Sequence, residues 1–101
     1  MRHDGFIKFD RALTFAQARV LLPHVPQIAK IDNDGKSITI KGGAEEIEKD
    51  LLLLIGDFSS LGIKTIGLIT AYDGENRIYD LIIIKNQIKK FDGGRITTIL
   101  P

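Results

Sequence analysis

Apolar and polar residues alternate in several short stretches of this chain and recur at helical spacing in two others. Residues 6–9 form a short β-prone stretch. Thr14 is followed three residues later by Gln17, which is the spacing of a capping box at the start of a helix. Pro23 disfavours helical backbone at the residue before it. The sequence therefore predicts a first helix over residues 15–22.

Apolar and polar residues alternate again between residues 27 and 41, on both sides of the segment Asp32-Asn33-Asp34-Gly35. Asn and Asp tolerate left-handed backbone and Gly adopts it freely, so this pattern predicts a β-hairpin. Ile38 and Ile40 share the inward parity of its second strand.

A second helix is predicted over residues 44–60, because apolar residues recur there at spacings of three and four. These residues are Ile47, Leu51, Leu54, Ile55 and Phe58. The following Leu61-Gly62 is a stop signal, with the glycine in the left-handed conformation.

Two further hairpins are predicted after Lys64. The first covers residues 65–85 around Asp73-Gly74-Glu75-Asn76, and the second covers residues 87–100 around Asp92-Gly93-Gly94. The first is rich in Ile and Leu at both parities, which predicts that one of its strands lies centrally in a sheet. Within it, we expect residues 82–84 to be the most buried segment.

This order of elements predicts a single α+β domain over residues 1–101. The expected architecture is a two-layer sandwich with a ferredoxin-like βαββαβ order, two helices on one sheet face and an extra C-terminal antiparallel β-hairpin. The alternative is a long curved sheet packed on the second helix. A ferredoxin-like architecture hosts many unrelated functions, so by itself it predicts little about activity.

Composition and charge exclude several classes of protein. Apolar residues make up 44% of the 101 residues and charged residues 27%, as in globular chains. The formal charge of +1 gives no strong overall field for nucleic acid or anionic lipid. Without cysteine there is no disulfide framework and no thiolate metal site. The apolar run at residues 51–55 is far shorter than the ~20 residues that span a bilayer. We therefore expect a cytoplasmic protein with no membrane partner.

Candidate catalytic and metal-binding residues are few. His3 and His24 are the only histidines; a zinc site would need both together with carboxylates. The prolines beside His24 indicate a stiff loop with a solvated or capping side chain, and the segment around His3 is a candidate for terminal disorder. Gly42-Gly43 lacks the spacing of a phosphate-binding loop. These patterns predict no cofactor, no metal and no catalysis.

Basic residues are concentrated in one segment near the end of the chain. If the strand is extended throughout, Lys85, Lys89 and Phe91 share one face. A basic and aromatic sheet face can hold single-stranded nucleic acid. The alternative is that lysines at a sheet edge prevent strand-to-strand aggregation. The candidate nucleic-acid-binding residues are Lys85, Lys89, Lys90, Phe91 and Arg95.

The apolar residues exceed what a two-layer domain of this size hides. Ile69, Ile78, Leu81 and Ile83 include both parities, so the sheet face away from the helices would also need a cover. A second copy of the chain is the simplest one. We expect a small non-catalytic binding or assembly module that acts as a homo-oligomer. The alternative is a nucleic-acid-binding domain that uses the basic C-terminal hairpin.

Overall fold

A computed structural model describes residues 1–43 and 46–101. Over these residues the chain forms seven strands, two α-helices and one short 3-10 helix. The strands are β1 (Arg2–Phe9), β2 (Ala29–Ile31), β3 (Ser37–Gly43), β4 (Thr65–Asp73), β5 (Asn76–Ile84), β6 (Gln87–Asp92) and β7 (Arg95–Leu100). The helices are α1 (Phe15–Leu21), the 3-10 helix (Leu22–His24) that follows it, and α2 (Ile47–Ser60).

The seven strands form one sheet in the order β2-β3-β1-β4-β5-β6-β7. Every pair of neighbours in this described sheet is antiparallel. The predicted α+β class and all three predicted hairpins are confirmed. The strand β4 lies in the middle, as expected for a strand of the second hairpin. Because β3 and β4 both run antiparallel to β1, the connection through α2 passes over β1.

The predicted start of α1 is confirmed. The Gln17 backbone N–H donates to the Thr14 hydroxyl at 3.1 Å, and the Thr14 backbone N–H donates to the Gln17 side-chain oxygen at 3.0 Å. The helix ends one residue earlier than predicted, since Leu22 and Pro23 belong to the 3-10 helix. At the end of α2, Gly62 has the expected positive φ of 70°. The predicted start of α2 at Ala44 lies outside the described residues.

The buried core combines the apolar side of α2 with the side chains of one face of the sheet, here called the inner face. Ile38 and Ile40 are buried on it, as their parity predicted. Leu21 of α1 belongs to the same core. The inner face contributes Ile7, Ile38, Ile40, Ile69, Leu81, Ile83 and Ile88, and α2 contributes the five apolar residues predicted from its spacing.

The prediction that residues 82–84 are the most buried segment is wrong. Ile83 is fully buried, but Ile82 is half-buried and Ile84 is 54% exposed. Side chains alternate between the two faces of a strand, and an antiparallel sheet can leave one face to water. The inner face takes Ile69, Leu81 and Ile83 together, so these three residues share one parity in the sheet.

The expectation of disorder around His3 is also wrong. β1 begins at Arg2 and pairs with β3 on one side and β4 on the other. The His3 side chain is only 1% exposed, and its Nε2 lies 2.9 Å from the Tyr79 hydroxyl oxygen. Pairing on both sides orders the start of the chain.

Candidate functional site

The side chains opposite the inner face form a second sheet surface, here called the open face. Its middle row runs from Phe6 of β1 to Leu68 of β4 and on to Ile82 of β5, because these residues are aligned by register. The next row along the strands aligns Lys8, Ile66 and Ile84. The apolar residues of the open face are Phe6, Ile66, Leu68, Ile82, Ile84, Phe91 and Ile96.

These apolar side chains reach solvent. Leu68 is 37% exposed, Phe6 39%, Ile66 54% and Ile84 54%. Isolated exposed apolar residues are ordinary on protein surfaces, whereas a contiguous patch marks a surface that binds something. The register makes this patch contiguous across β1, β4 and β5. The open face is therefore the candidate functional site.

The two ends of the patch carry different charged residues. A row on one side of Phe6 aligns Lys41, Asp4, Thr70 and Asp80. Asp4 is paired with Arg2, at 2.9 Å between Oδ2 and Nε. On the other side of Phe6, Lys8 is the charged residue of the open face of β1, and its Nζ lies 5.4 Å from the Phe6 ring centroid.

Asp80 stays ionised within this border. Burial would raise its pKa, but hydrogen bonds from the Thr70 hydroxyl at 2.7 Å and from the Arg77 guanidinium outweigh burial and lower that pKa. The same pairing raises the pKa of Arg77. Both carboxylates at this end of the patch, Asp4 and Asp80, are therefore already paired with arginines of the same chain.

The five residues predicted to bind nucleic acid are divided between the two faces. Lys89 and Phe91 lie on the open face, where they line a shallow groove of about 240 Å³ with Ile82, Ile84 and Gln87. Lys85 lies in the tight turn between β5 and β6, where it and Asn86 have φ of 48° and 64°. A strand that is extended throughout, on which the prediction depended, does not exist there.

Lys90 faces the other way. Its Nζ donates to Glu48 Oε1 at 3.0 Å and lies 4.2 Å from the Tyr79 ring centroid. The hydrogen bond with Glu48 raises the pKa of Lys90. Arg95 is aligned with Asp92 at the hairpin end and so has the same parity as Lys90. Lys89 and Phe91 are thus the predicted pair that the fold brings together on the open face.

The alternative role of the lysines as edge guards is wrong for Lys89 and Lys90. β6, which carries both, lies between β5 and β7 and is not an edge strand. The edge strand beside β6 is β7, where Arg95 is the single charged residue. An irregularity in register between Ile88 and Lys89 interrupts its pairing with β6. Such a bulge bends an edge strand and makes it a poorer template for another chain.

Each histidine has a specific partner. The His24 Nδ1 contacts the Asp57 carboxylate and so connects the 3-10 helix to α2. Burial lowers the pKa of His3 and raises that of its partner Tyr79. Among residues 1–43 and 46–101, no three His, Cys, Asp or Glu side chains are grouped to hold a metal ion.

Sequence reasoning missed the residues at the centre of the open face. Phe6, Ile66 and Leu68 were not singled out, although apolar residues at both parities of β4 and β5 were the right signal. The residues that indicated this signal in the sequence are buried or half-buried; they are Ile69, Ile78, Leu81 and Ile83. Parity alone does not say which side of a strand is buried.

Comparison with protein-family models, with curated proteins and with solved structures found no match. No helix in the described part of the chain is long and apolar enough to cross a membrane. The feature that points to a function is therefore the open face itself: an apolar centre with charged residues at its two ends.

Proposed function

We propose that this protein is a small non-catalytic binding or assembly module that acts as a homo-oligomer through the open face of its sheet. The observation that carries the proposal is the contiguous exposed apolar patch around Phe6, Leu68 and Ile82. Burying such a patch against another protein is favourable by roughly 25 cal/mol for each Å² of apolar surface removed from water. The absence of cysteine suits a reducing compartment, and we propose a cytoplasmic location.

The size of the sheet supports a second copy as the partner. The two longest dimensions of the molecule are 38 and 25 Å. An outline of those two dimensions has an area on the order of 900 Å², which is comparable with the ~800 Å² that each partner contributes to a standard stable interface. A smaller peptide would leave part of the patch in water, whereas an identical sheet covers all of it.

We also propose that β1 to β4 and the two helices form a ferredoxin-like βαββαβ unit, which β5, β6 and β7 extend as an antiparallel sheet. The position of β1 between β3 and β4 supports this architecture. Leu21 of α1 and the buried side of α2 belong to one core, which supports placing both helices on the inner face. The open face then has no helix of its own to cover it.

Sedimentation velocity at micromolar concentration tests the assembly proposal. The wild-type chain should sediment as a dimer or larger species. Leu68→Glu places a charge at the centre of the patch and should weaken association by at least about tenfold, because an unpaired charge is costly to bury. Leu53→Glu is the matched control, since Leu53 is 48% exposed on α2; it should associate as wild type. A wild-type chain that is monomeric throughout would overturn the proposal.

Single-stranded nucleic acid is a second candidate for the same face. It is favoured by two lysine and phenylalanine pairs on the open face, Lys8 with Phe6 and Lys89 with Phe91. Lysines can neutralise phosphates while rings stack on bases. Four residues of the patch, Ile66, Leu68, Ile82 and Ile84, are aliphatic and offer no ring to a base, and for that reason self-association ranks first.

Oligonucleotide titrations at two salt concentrations separate the candidates. If the face binds phosphates, Lys89→Gln should reduce affinity and lower the salt slope by about one. Lys90→Gln is the control, because Lys90 lies on the opposite face and is paired with Glu48. No binding of wild type to oligonucleotides at low salt would remove this candidate.

A further inference from the structure

We infer that two copies of the chain meet about a two-fold axis that crosses the strands at the level of Phe6, Leu68 and Ile82. In this arrangement Asp4 of each protomer faces Lys8 of the partner subunit. The inference rests on the proposed self-association through the open face and adds the geometry of the pair. The geometry is inferred from the charged residues on either side of the middle row of the open face.

The strand β1 sets up this symmetry. Asp4 and Lys8 lie on the open face two residues before and two residues after Phe6, which places each of them roughly 7 Å from Phe6 along the strand. An axis across the strands at Phe6 reverses the strand direction in the second copy. The level of Asp4 in one protomer then coincides with the level of Lys8 in the other, and each dimer contains this pair twice.

The same axis brings the apolar centres together. Phe6 meets Phe6 of the partner subunit, and Leu68 and Ile82 meet their own copies at the same level. Aromatic and aliphatic side chains interdigitate in this way between the facing sheets of a sandwich, about 10 Å apart. A lysine side chain on one sheet and a shorter aspartate on the other suit such a gap at the rim of the apolar area.

An axis parallel to the strands is disfavoured by charge. With this axis along β4, each row of one protomer would face the same row of the partner subunit. The strand β1 of one protomer would then face β5 of the other. Because Asp4 and Asp80 share a row on opposite sides of Thr70, Asp4 would face Asp80 of the partner subunit. Lys8 would face Ile84 of the partner subunit without a carboxylate. Both carboxylates are paired with arginines of their own chain, Arg2 and Arg77, so this axis adds no contact between opposite charges. The axis across the strands leaves Asp80 with Arg77 and adds a contact between Asp4 and Lys8 twice in each dimer, so the charge pattern favours it.

Charge reversal at the two positions tests the axis. Asp4→Lys alone sets two lysines against each other twice in a homodimer, and Lys8→Glu alone sets two carboxylates against each other twice. Each single variant should dimerise at least about tenfold more weakly than wild type at low salt. An equimolar mixture should form a heterodimer with a Kd near the wild-type value, because every facing pair is then of opposite charge. High salt should reduce these differences.

The control is Lys49→Glu, which reverses an exposed charge on α2 and should leave dimerisation unchanged. A monomeric wild-type chain contradicts the proposed function itself. A wild-type dimer whose strength neither reversal changes, or two weakened variants that do not recover when mixed, contradicts the axis alone. If a reversed chain unfolds, Asp4→Asn and Lys8→Gln decide instead. They should weaken the dimer non-additively, and additive losses contradict the pairing.

Discussion

At the scale of single residues, two glycines allow the strands β1 and β4 to lie side by side at the centre of the sheet. A Cβ added at Gly5 would lie 2.1 Å from the Leu68 carbonyl oxygen, and one added at Gly67 would lie 2.4 Å from the Phe6 carbonyl oxygen. Both obstacles are backbone atoms, which a side-chain rotation cannot move away. The strands that carry the middle row of the open face therefore require glycine at these two positions.

Gly5→Ala should lower the free energy of unfolding by about 2 kcal/mol or more, because the new methyl group forces the two central strands apart. Gly56→Ala is the opposite case, since nothing lies within 4 Å of a Cβ there and the residue is exposed on α2. That variant should gain about 0.5 to 1 kcal/mol from helix propensity. Urea unfolding measures both, and equal small effects would contradict the close approach of the strands.

At the scale of elements, α1 depends on its cap. It has seven residues, of which Leu21 is the buried one, so few tertiary contacts hold it in place. A helix of this length is unstable on its own in water. The reciprocal hydrogen bonds between Thr14 and Gln17 satisfy two donors at its start. The cap is therefore expected to matter more to α1 than to the longer α2.

Thr14→Ala should cost about 1 kcal/mol of unfolding free energy, and Thr14→Ser much less, because serine keeps the hydroxyl that accepts from Gln17. Thermal and urea unfolding of the two variants give the comparison. Losses of the same size in both would mean that the threonine methyl group, and not the cap, stabilises this helix start.

The turn between β5 and β6 is held by one side chain. The Asn86 amide oxygen accepts from the Thr65 backbone N–H at 2.8 Å and from the Thr65 hydroxyl at 2.5 Å. Its amide nitrogen donates to the Ile63 carbonyl at 2.8 Å. These bonds fix where β6 starts, and with it which of the two residues, Lys89 or Lys90, lies on the open face. These partners of Asn86 lie more than 20 residues away in the sequence, so the spacing of the lysines alone does not predict which face each one occupies.

At the scale of the whole molecule, His3 and Tyr79 connect the first strand to β5 across 76 residues. Burial lowers the pKa of His3 in the folded chain. In the unfolded chain the imidazole returns to its ordinary pKa near 6.5. Below that pH the unfolded state therefore binds a proton that the folded state resists, and stability falls.

The contribution of His3 to stability should be fully present above about pH 6.5 and decrease as the pH falls toward 5. His3→Phe removes the titrating group while keeping a ring beside Tyr79. It should be less stable at pH 7 but lose less stability than wild type between pH 7 and pH 5. Urea unfolding at several pH values measures the two slopes, and identical slopes would contradict a buried neutral histidine.

The sequence by itself determined the local elements of this protein. The alternation around Ile38 and Ile40, the capping box at Thr14 and the helical spacing of α2 follow from contacts between residues a few positions apart. Local contacts of that kind are encoded in adjacent residue types. For the same reason all three hairpins, with their Asp and Gly turns, could be predicted.

Only the tertiary structure decided which side chains of the sheet are buried in the core and which form the open face, and with it the site. Ile83 and Ile84 are neighbours of the same type, yet one is buried and the other is 54% exposed. His3 is buried because β3 and β4 pair on both sides of β1, and Lys89 rather than Lys90 lies on the open face because the Asn86 contacts with Ile63 and Thr65 set the start of β6. Each of these outcomes depends on residues far away in the chain, and the apolar open face exists because distant strands align Phe6, Leu68 and Ile82 in one row.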